Sequence, residues 1–196
     1  MSILFQTHQQ NFLEYLQFQK RCSRHTIVSY ETDLNGFATF MQKEFPDMEV
    51  AEIKTTYIRT WLASLKEKEM SARSLNRKIS TLRSFFKYLL KNEKVKVNPV
   101  TAVISPKMPK RLPQFVSEKD INTLLTTIEF SEGFKGFTEK LIIEVLYVTG
   151  MRKAELLGLK EYSIDRINAT IKVLGKGNKE RIIPVNTALI NNIKFY

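Results

Sequence analysis

The sequence contains few of the residues that build disulfide, metal or redox sites. Its 196 residues include one cysteine, Cys22, and two histidines, His8 and His25. A single cysteine excludes an intramolecular disulfide and is typical of a reducing cytoplasm, where we expect this protein. Zinc-ligand spacings, a dinucleotide fingerprint and a nucleophile elbow are all missing from the sequence, which argues against those chemistries.

Long apolar runs are also missing. No stretch of about 18 consecutive apolar residues occurs, so we expect no membrane span. Gln6, His8, Gln9 and Gln10 interrupt the first residues, which is unlike a secretory signal. The composition, with 43% hydrophobic and 26% charged residues, fits a soluble chain with a buried core. The length suits one large or two small domains.

Acidic residues are scarce in one quarter of the chain. The net charge is +11, and residues 66–111 hold thirteen lysines and arginines against three glutamates. Such a localised basic region predicts a polyanionic partner, of which nucleic acid is the simplest. A membrane surface is the alternative, but it favours a basic helix whose apolar face is free.

Apolar residues at helical spacing predict four helices in the first half of the chain. Ser23, Thr55 and Ser71 stand where helix caps are expected. We expect the aromatic and aliphatic residues of these helices to form a core, and Glu31 and Asp33 to be solvated. The predicted segments are residues 5–20, 23–44, a helix from residue 55, and 71–92.

The fourth predicted helix has an apolar side and a basic side. At about 100° per residue, Leu75, Ile79, Leu82, Phe85, Phe86, Leu89 and Leu90 fall together and are needed for the helical bundle. Short polar side chains among the basic ones would let phosphates and base edges approach closely. A solvated basic face is the alternative, but the following segment extends the same charge, so we predict contact with double-stranded DNA. The predicted DNA-binding residues are Arg73, Arg77, Ser80, Arg83, Ser84, Lys87, Lys91, Lys107, Lys110 and Arg111.

Prolines then break the helical pattern within residues 93–115, which predicts an extended basic linker. The expected organisation is a helical domain at residues 1–105, a linker at 106–115 and a second domain at 116–196. The second domain is expected to be mixed α+β with a small antiparallel sheet. Its predicted elements are helices at 117–128, 136–148 and 152–158, strands at 170–174 and 181–184, and a helix from 187.

Two residues of the second domain are candidates for phosphate chemistry. Gly150 is expected to end a helix in the left-handed conformation, which places Arg152 at the start of the next helix, where its guanidinium could bind two phosphate oxygens. Glu155, one turn later, could hold Arg152 in place. Lys176 lies between two glycines at a predicted hairpin tip. A surface ion pair for Arg152 and a solvated turn lysine for Lys176 are the alternatives.

These segments together resemble the tyrosine recombinase (phage integrase) family, and most of all its Xer-type members. The resemblance covers nearly the whole chain and identifies the first region as a SAM-like core-binding domain. It rests on five motifs in family order, which begin at Ser23, Ser71, Asn98, Thr149 and Gly175. Their sequences are Ser23-x-x-Thr26-x-x-x-Tyr30-x-x-Asp33-Leu34-x-x-Phe37, the segment 71–89, Asn98-Pro99 with Pro106-Lys107 and Arg111-Leu112-Pro113, Thr149-Gly-Met-Arg-Lys-Ala-Glu-Leu156, and Gly175-Lys-Gly-Asn-Lys-Glu-Arg181.

The resemblance implies a mechanism. In the family a tyrosine attacks a DNA phosphate, two arginines and a histidine stabilise the charge, and a lysine protonates the leaving oxygen, without a metal, ATP or another cofactor. Arg152 matches the first arginine, and Lys176 matches the lysine. A second recombinase subunit is implied as a partner of the full-length protein.

The sequence departs from the family pattern after the hairpin. No histidine follows His25, so the family's His-x-x-Arg box is absent, and Tyr196 stands before the place of that box rather than after it. We therefore expect a C-terminally incomplete chain that binds duplex DNA but lacks the nucleophile. A non-catalytic short form that occupies recombination sites is the alternative, and a basic helical protein that binds DNA for unrelated reasons is less favoured.

Overall fold

The computed structural model describes residues 3–46, 48–109, 112, 114–175 and 177–196. The chain divides into two compact units, Met1–Leu112 and Pro113–Tyr196. The first unit is helical, and the second combines helices with a small antiparallel sheet. The predicted fold class is therefore confirmed. In the part of the chain that the structure describes, every helix is too short or too polar to span a membrane.

Four α-helices form the first unit, as the sequence predicts. Ser23 and Ser71 cap the second and fourth of them, because each side chain accepts a hydrogen bond from the backbone N–H three residues later, at 3.3 Å. The elements are α1 (Ile3–Glu14) with a π-helical turn (Tyr15–Gln19), α2 (Arg24–Glu44), a 3₁₀ turn (Val50–Glu52), α3 (Thr55–Glu67) and α4 (Ala72–Lys91).

The predicted cap of α3 is wrong. The capping position is Lys54, whose side chain makes no capping hydrogen bond, and Thr55 is the first helical residue. The Thr55 hydroxyl instead donates to the carbonyl oxygen of Pro99 at 2.7 Å. This threonine therefore links α3 to the segment that follows α4 through a hydrogen bond. The local sequence does not predict this contact, because its two residues are far apart in the chain.

Aromatic side chains dominate the core of the first unit. Phe12, Phe37 and Phe85 are almost completely buried, and Phe12 meets Phe85 edge-on with ring centroids 5.5 Å apart. Burying each such ring contributes about 1.5–3 kcal/mol. The predicted apolar side of α4 faces this core except at its last residue, because Leu90 is 41% exposed. Placing Leu90 in the core was therefore wrong.

The segment after α4 is not a free linker along its whole length. Val100 is completely buried, and the backbone around it is held by side chains of α3 and α4. The Asn76 amide donates to the carbonyl of Pro106 at 2.9 Å, and Arg59 donates to the carbonyl of Ala102 at 2.9 Å. The part between α4 and Pro106 therefore belongs to the first unit, whereas the sequence pattern predicts an extended chain from residue 93.

The second unit contains one more strand than predicted. Its elements are α5 (Glu118–Thr127), α6 (Gly133–Thr149), α7 (Lys153–Leu157), a 3₁₀ turn (Glu161–Ser163), β1 (Ile164–Asp165), β2 (Thr170–Leu174), β3 (Glu180–Pro184) and α8 (Thr187–Phe195). The three strands pair antiparallel in the order β1-β2-β3. Strand β1 has two residues, too few for alternation to reveal it.

The sheet positions the candidate phosphate site. Ile171 and Val173 of β2 are buried with Leu189 of α8 and Val145 of α6 in one hydrophobic cluster. In the β2–β3 register, Val173 pairs with Arg181. The β2–β3 hairpin is therefore anchored by buried side chains at its base.

Candidate functional site

The predicted basic face of α4, which consists of Arg73, Arg77, Arg83, Lys87 and Lys91, lies at the protein surface. All five residues are exposed. The side chains of Arg73, Arg83, Lys87 and Lys91 make no ion pair with any residue that the structure describes. Four cations are thus available to a polyanion.

The other predicted DNA-binding residues are placed as follows. Ser80 is exposed, and its hydroxyl donates to the carbonyl of Asn76 at 2.9 Å. Ser84 is half-buried, and its hydroxyl lies 3.4 Å from that of Tyr30. Lys107 is exposed. Lys110 and Arg111 lie outside the described residues.

Arg77 differs from its neighbours on the basic face because it is anchored. Its Nη1 donates to Oδ2 of Asp33 at 2.7 Å and to the hydroxyl of Ser29 at 2.7 Å. The side chain remains 46% exposed. Arg77 therefore joins α4 to α2 while part of its guanidinium faces solvent.

Asp33 corrects the expectation of a solvated residue, because it is completely buried. Besides Arg77, it accepts hydrogen bonds from the Lys78 ammonium at 2.8 Å and from the Thr81 hydroxyl at 2.9 Å. A buried carboxylate requires such donors to offset its lost hydration. The Lys78 ammonium also lies 5.6 Å from the ring centroid of Trp61, which is cation–π distance. Lys78 is thus a basic residue of α4 that faces the interior.

The turn between α6 and α7 presents Arg152 to solvent. Gly150 adopts φ 59°, and its N–H closes the last turn of α6 on the carbonyl of Leu146 at 3.0 Å. The left-handed conformation suits glycine and reverses the chain. Arg152 then occupies the N-terminal capping position of α7, with its side chain 69% exposed. Both the glycine and the arginine lie where the sequence predicts.

Glu155 is the buried centre of this turn. Its Oε1 accepts Nη1 of Arg152 at 2.9 Å, and its Oε2 accepts the backbone N–H of Arg152 at 2.8 Å. The carboxylate also accepts two hydrogen bonds from Arg181. The Arg181 guanidinium first, and the Arg152 backbone N–H second, hold the pKa of the Glu155 carboxyl well below its ordinary value. Glu155 therefore stays ionised and holds Arg152, as the sequence suggests.

Arg181 is the residue of this site that the sequence analysis missed. It belongs to the hairpin motif, but its spacing from Glu155 in the chain gives no sign of contact. Its Nη1 and Nη2 each lie 2.8 Å from a different oxygen of Glu155, and the ion pair raises the pKa of the guanidinium. The one available signal was its position in β3, because alternation places Arg181 on the same side of the strand as Ile183.

Gly175 and Gly177 of the β2–β3 hairpin are each favoured as glycine for a different structural reason. The Gly175 N–H donates to the carbonyl of Lys179 at 2.7 Å, and a side chain at Gly175 would place Cβ 3.3 Å from Oε1 of Glu155. Gly177 has φ 76°, which favours glycine. Lys176, between them, lies outside the described residues, so its predicted role stays a prediction.

Comparison with known proteins accounts for both units. Residues 10–93 match the family described as "Phage integrase, N-terminal SAM-like domain", and residues 114–196 match the "Phage integrase family". The chain belongs to this family of tyrosine recombinases, which confirms the resemblance identified from the sequence.

Curated relatives point to one branch of the family. The chain is similar to tyrosine recombinase XerC of Staphylococcus saprophyticus, with 40% identity over 176 residues that cover 90% of this chain and 58% of that protein. It is also 39% identical to XerC of Bacillus licheniformis over 177 residues, 88% of this chain and 56% of that protein. The chain thus spans less than two thirds of the length of these relatives.

Solved structures of integrases share the fold. A lambda integrase (75–356) dimer bound to a COC′ core site superposes with a TM-score of 0.72 at 17% identity, covering 97% of this chain and 68% of that chain. The Tn1549 transposon integrase in complex with circular intermediate DNA gives a TM-score of 0.69 at 18% identity, covering 96% and 63%. At these identities the likeness establishes the fold alone.

Proposed function

We propose that this chain binds duplex DNA through the basic face of α4, as part of a site-specific tyrosine recombinase that acts in the cytoplasm. The observation that carries the proposal is the set of four exposed cations, Arg73, Arg83, Lys87 and Lys91, which have no ion-pair partner among the described residues. Their apolar counterparts on α4 are buried in the core, which leaves that helix without an apolar face for a membrane.

The relatives support DNA and a second subunit as partners. The lambda integrase structure is a dimer bound to a core site, and the Tn1549 integrase structure contains DNA. We propose double-stranded DNA as the ligand of this chain, and a second recombinase subunit as the partner of the full-length protein. Exposed phosphate-binding cations are consistent with such a complex.

The chemistry proposed for the second unit is stabilisation of a reacting DNA phosphate. Arg152 would bind the phosphate oxygens, and Lys176 would protonate the leaving oxygen. Glu155 would hold Arg152 in orientation. Preorganised donors at developing charge contribute about 3 kcal/mol each to catalysis, and arginine suits two phosphate oxygens at once.

Strand cleavage by this 196-residue chain is not part of the proposal. Its sequence contains no histidine after His25 and hence no His-x-x-Arg box. The ring of Tyr196 stacks on Phe134 with centroids 5.1 Å apart, and we assign it no nucleophilic role. Occupation of recombination sites without cleavage is the second candidate function, and the exposed cations of α4 would serve it equally.

The binding proposal is tested with Arg83→Ala and Lys87→Ala in a titration of labelled duplex DNA at several salt concentrations. Each substitution removes about one phosphate contact, so the slope of log K against log salt should become shallower by about 0.9. Lys43→Ala is the matched control, because Lys43 is an exposed cation of α2 paired with Glu44. Equal slopes in the wild type and both α4 variants would contradict the proposed interface.

A further inference from the structure

Arg181 forms the tightest part of the ionic cluster around Glu155. Arg181 lies in β3, and its guanidinium contacts the carboxylate of Glu155. Its Nη1 and Nη2 each lie 2.8 Å from a different carboxylate oxygen. This two-bond fork is the strongest geometry of an arginine–carboxylate pair. The Glu155 side chain is 4% exposed, so water competes little for its oxygens.

The same two oxygens also hold Arg152. One accepts its Nη1 and the other accepts its backbone N–H, so a single carboxylate connects the arginine of the turn with the arginine of the strand. No hydrogen bond to a described residue uses Nε or Nη2 of Arg152. Those two donor nitrogens stay available to a ligand while Nη1 is fixed.

The start of the β2–β3 loop lies against the same carboxylate. Gly175 lies so near that a Cβ there would be 3.3 Å from Oε1 of Glu155 and 3.4 Å from Nη1 of Arg181. Glu155, Arg181 and Gly175 thus form one packed group. In the sequence, Gly175 directly precedes Lys176.

We propose that Arg181 is a positioning residue: its fork on Glu155 fixes the orientation of Arg152 and links the start of the β2–β3 loop to the Arg152 turn. The inference rests on the proposed role of Arg152 at a DNA phosphate. Without Arg181, the Glu155 carboxylate keeps only the two hydrogen bonds from Arg152 among the described residues, so its Oε1 is held less firmly. The Arg152 guanidinium then becomes as mobile as an ordinary surface arginine.

The test is NMR spectroscopy of the whole 196-residue chain as wild type, Arg181→Lys, Arg181→Gln and the control Arg166→Gln. Arg166 is an exposed arginine of the same unit, 3.4 Å from Glu161. The readouts are the heteronuclear NOE of the Arg152 Nε–Hε group and the ¹³C titration of the Glu155 carboxyl. We expect both Arg181 variants to lose about half of the Arg152 NOE, and Arg181→Gln to raise the pKa of Glu155. Arg166→Gln should leave both readouts unchanged.

Arg181→Lys separates the effect of the charge from the effect of the two-bond fork. It keeps the charge but cannot form the fork, so an Arg152 that is ordered in Arg181→Lys would overturn the proposal, as would an ordered Arg152 in Arg181→Gln. Amide spectra of β2 and α6 check folding, and Arg181→Lys decides alone if the glutamine variant does not fold. Duplex DNA affinity, measured on the same samples, tests the proposed function separately because the basic face of α4 belongs to the first unit.

Discussion

At the scale of single residues, cations of one helix have different surroundings and different expected roles. The Lys78 side chain is 10% exposed and lies 2.8 Å from Oδ1 of Asp33. Arg83, one and a half turns later, is exposed and has no ion-pair partner among the described residues. A count of the basic residues of α4 does not distinguish Lys78 from Arg83. Burial and pairing separate them, because only an accessible cation can neutralise a phosphate and release counterions.

Lys78→Met should therefore weaken folding without changing the salt dependence of DNA binding. The methionine keeps the stem over Trp61 but removes one of the cations that compensate the buried Asp33. We expect a loss of about 3 kcal/mol, the lower end of the range for a broken buried pair, because Arg77 and Thr81 still donate to Asp33. Urea denaturation, followed by Trp61 fluorescence, measures the stability. The salt slope of duplex binding should equal that of the wild type, and a shallower slope would show that Lys78 reaches the DNA.

Arg77→Ala is the comparison, because this arginine is both anchored and half-exposed. We expect it to lower stability through the lost bond to Asp33 and also to flatten the salt dependence of DNA binding. The same two measurements apply. A variant that loses stability but keeps the wild-type slope would restrict Arg77 to a structural role.

At the scale of elements, the ion pair between Glu155 and Arg181 joins α7 to β3. Because its folded-state pKa is depressed, the Glu155 carboxyl contributes stability that is fully present above its ordinary pKa of 4.5. That contribution is lost as the pH falls from there toward the folded-state pKa. The elements that carry Arg152 and the β2–β3 hairpin should therefore separate more easily in acid.

Glu155→Gln should remove this pH dependence. In the wild type, we expect the hydrogen-exchange protection of β2 and β3 amides to decrease as the pH falls below about 4.5, after correction for the intrinsic exchange rate. In the variant, protection should be lower at neutral pH and should change less in acid. Asp165→Asn is the control in the same unit, because the pKa of Asp165 is also lowered but its carboxylate accepts hydrogen bonds from Ile167 and Asn168 of its own turn. If hydrogen-exchange protection depended on pH identically in the wild type and in Glu155→Gln, Glu155 would not be the group that destabilises the sheet in acid.

The sequence predicts elements better than it predicts the contacts between them. Spacing and caps locate α2, α4 and α5, and β2 has the predicted bounds, since these depend on local pattern. The burial of Asp33 depends on how α2 pairs with α4, and the contact of Arg181 with Glu155 depends on strand register. Both the burial of Asp33 and the contact of Arg181 depend on residues distant in the chain. The local sequence pattern therefore predicts a solvated Asp33 and no role for Arg181.

At the scale of the whole molecule, the two units contribute different chemistry. The first provides exposed cations on a helix whose opposite side is buried in an aromatic core. The second provides Arg152, held by Glu155 in a turn beside the start of the β2–β3 loop. The chain belongs to the phage integrase family and spans 56% and 58% of two XerC relatives. The proposed DNA binding rests on the exposed cations of the first unit, and the proposed phosphate site rests on the Arg152 turn of the second.

DNA binding without strand cleavage is tested most directly with one nicked duplex that carries the recombination site of a XerC relative. The 196-residue chain is incubated with labelled duplex and run on native and denaturing gels, with the full-length relative as the positive control for covalent capture. We expect a retarded complex on the native gel that Arg83→Ala and Lys87→Ala weaken, and no protein–DNA adduct on the denaturing gel. A denaturation-resistant adduct, or no retarded complex at low salt, would contradict that expectation.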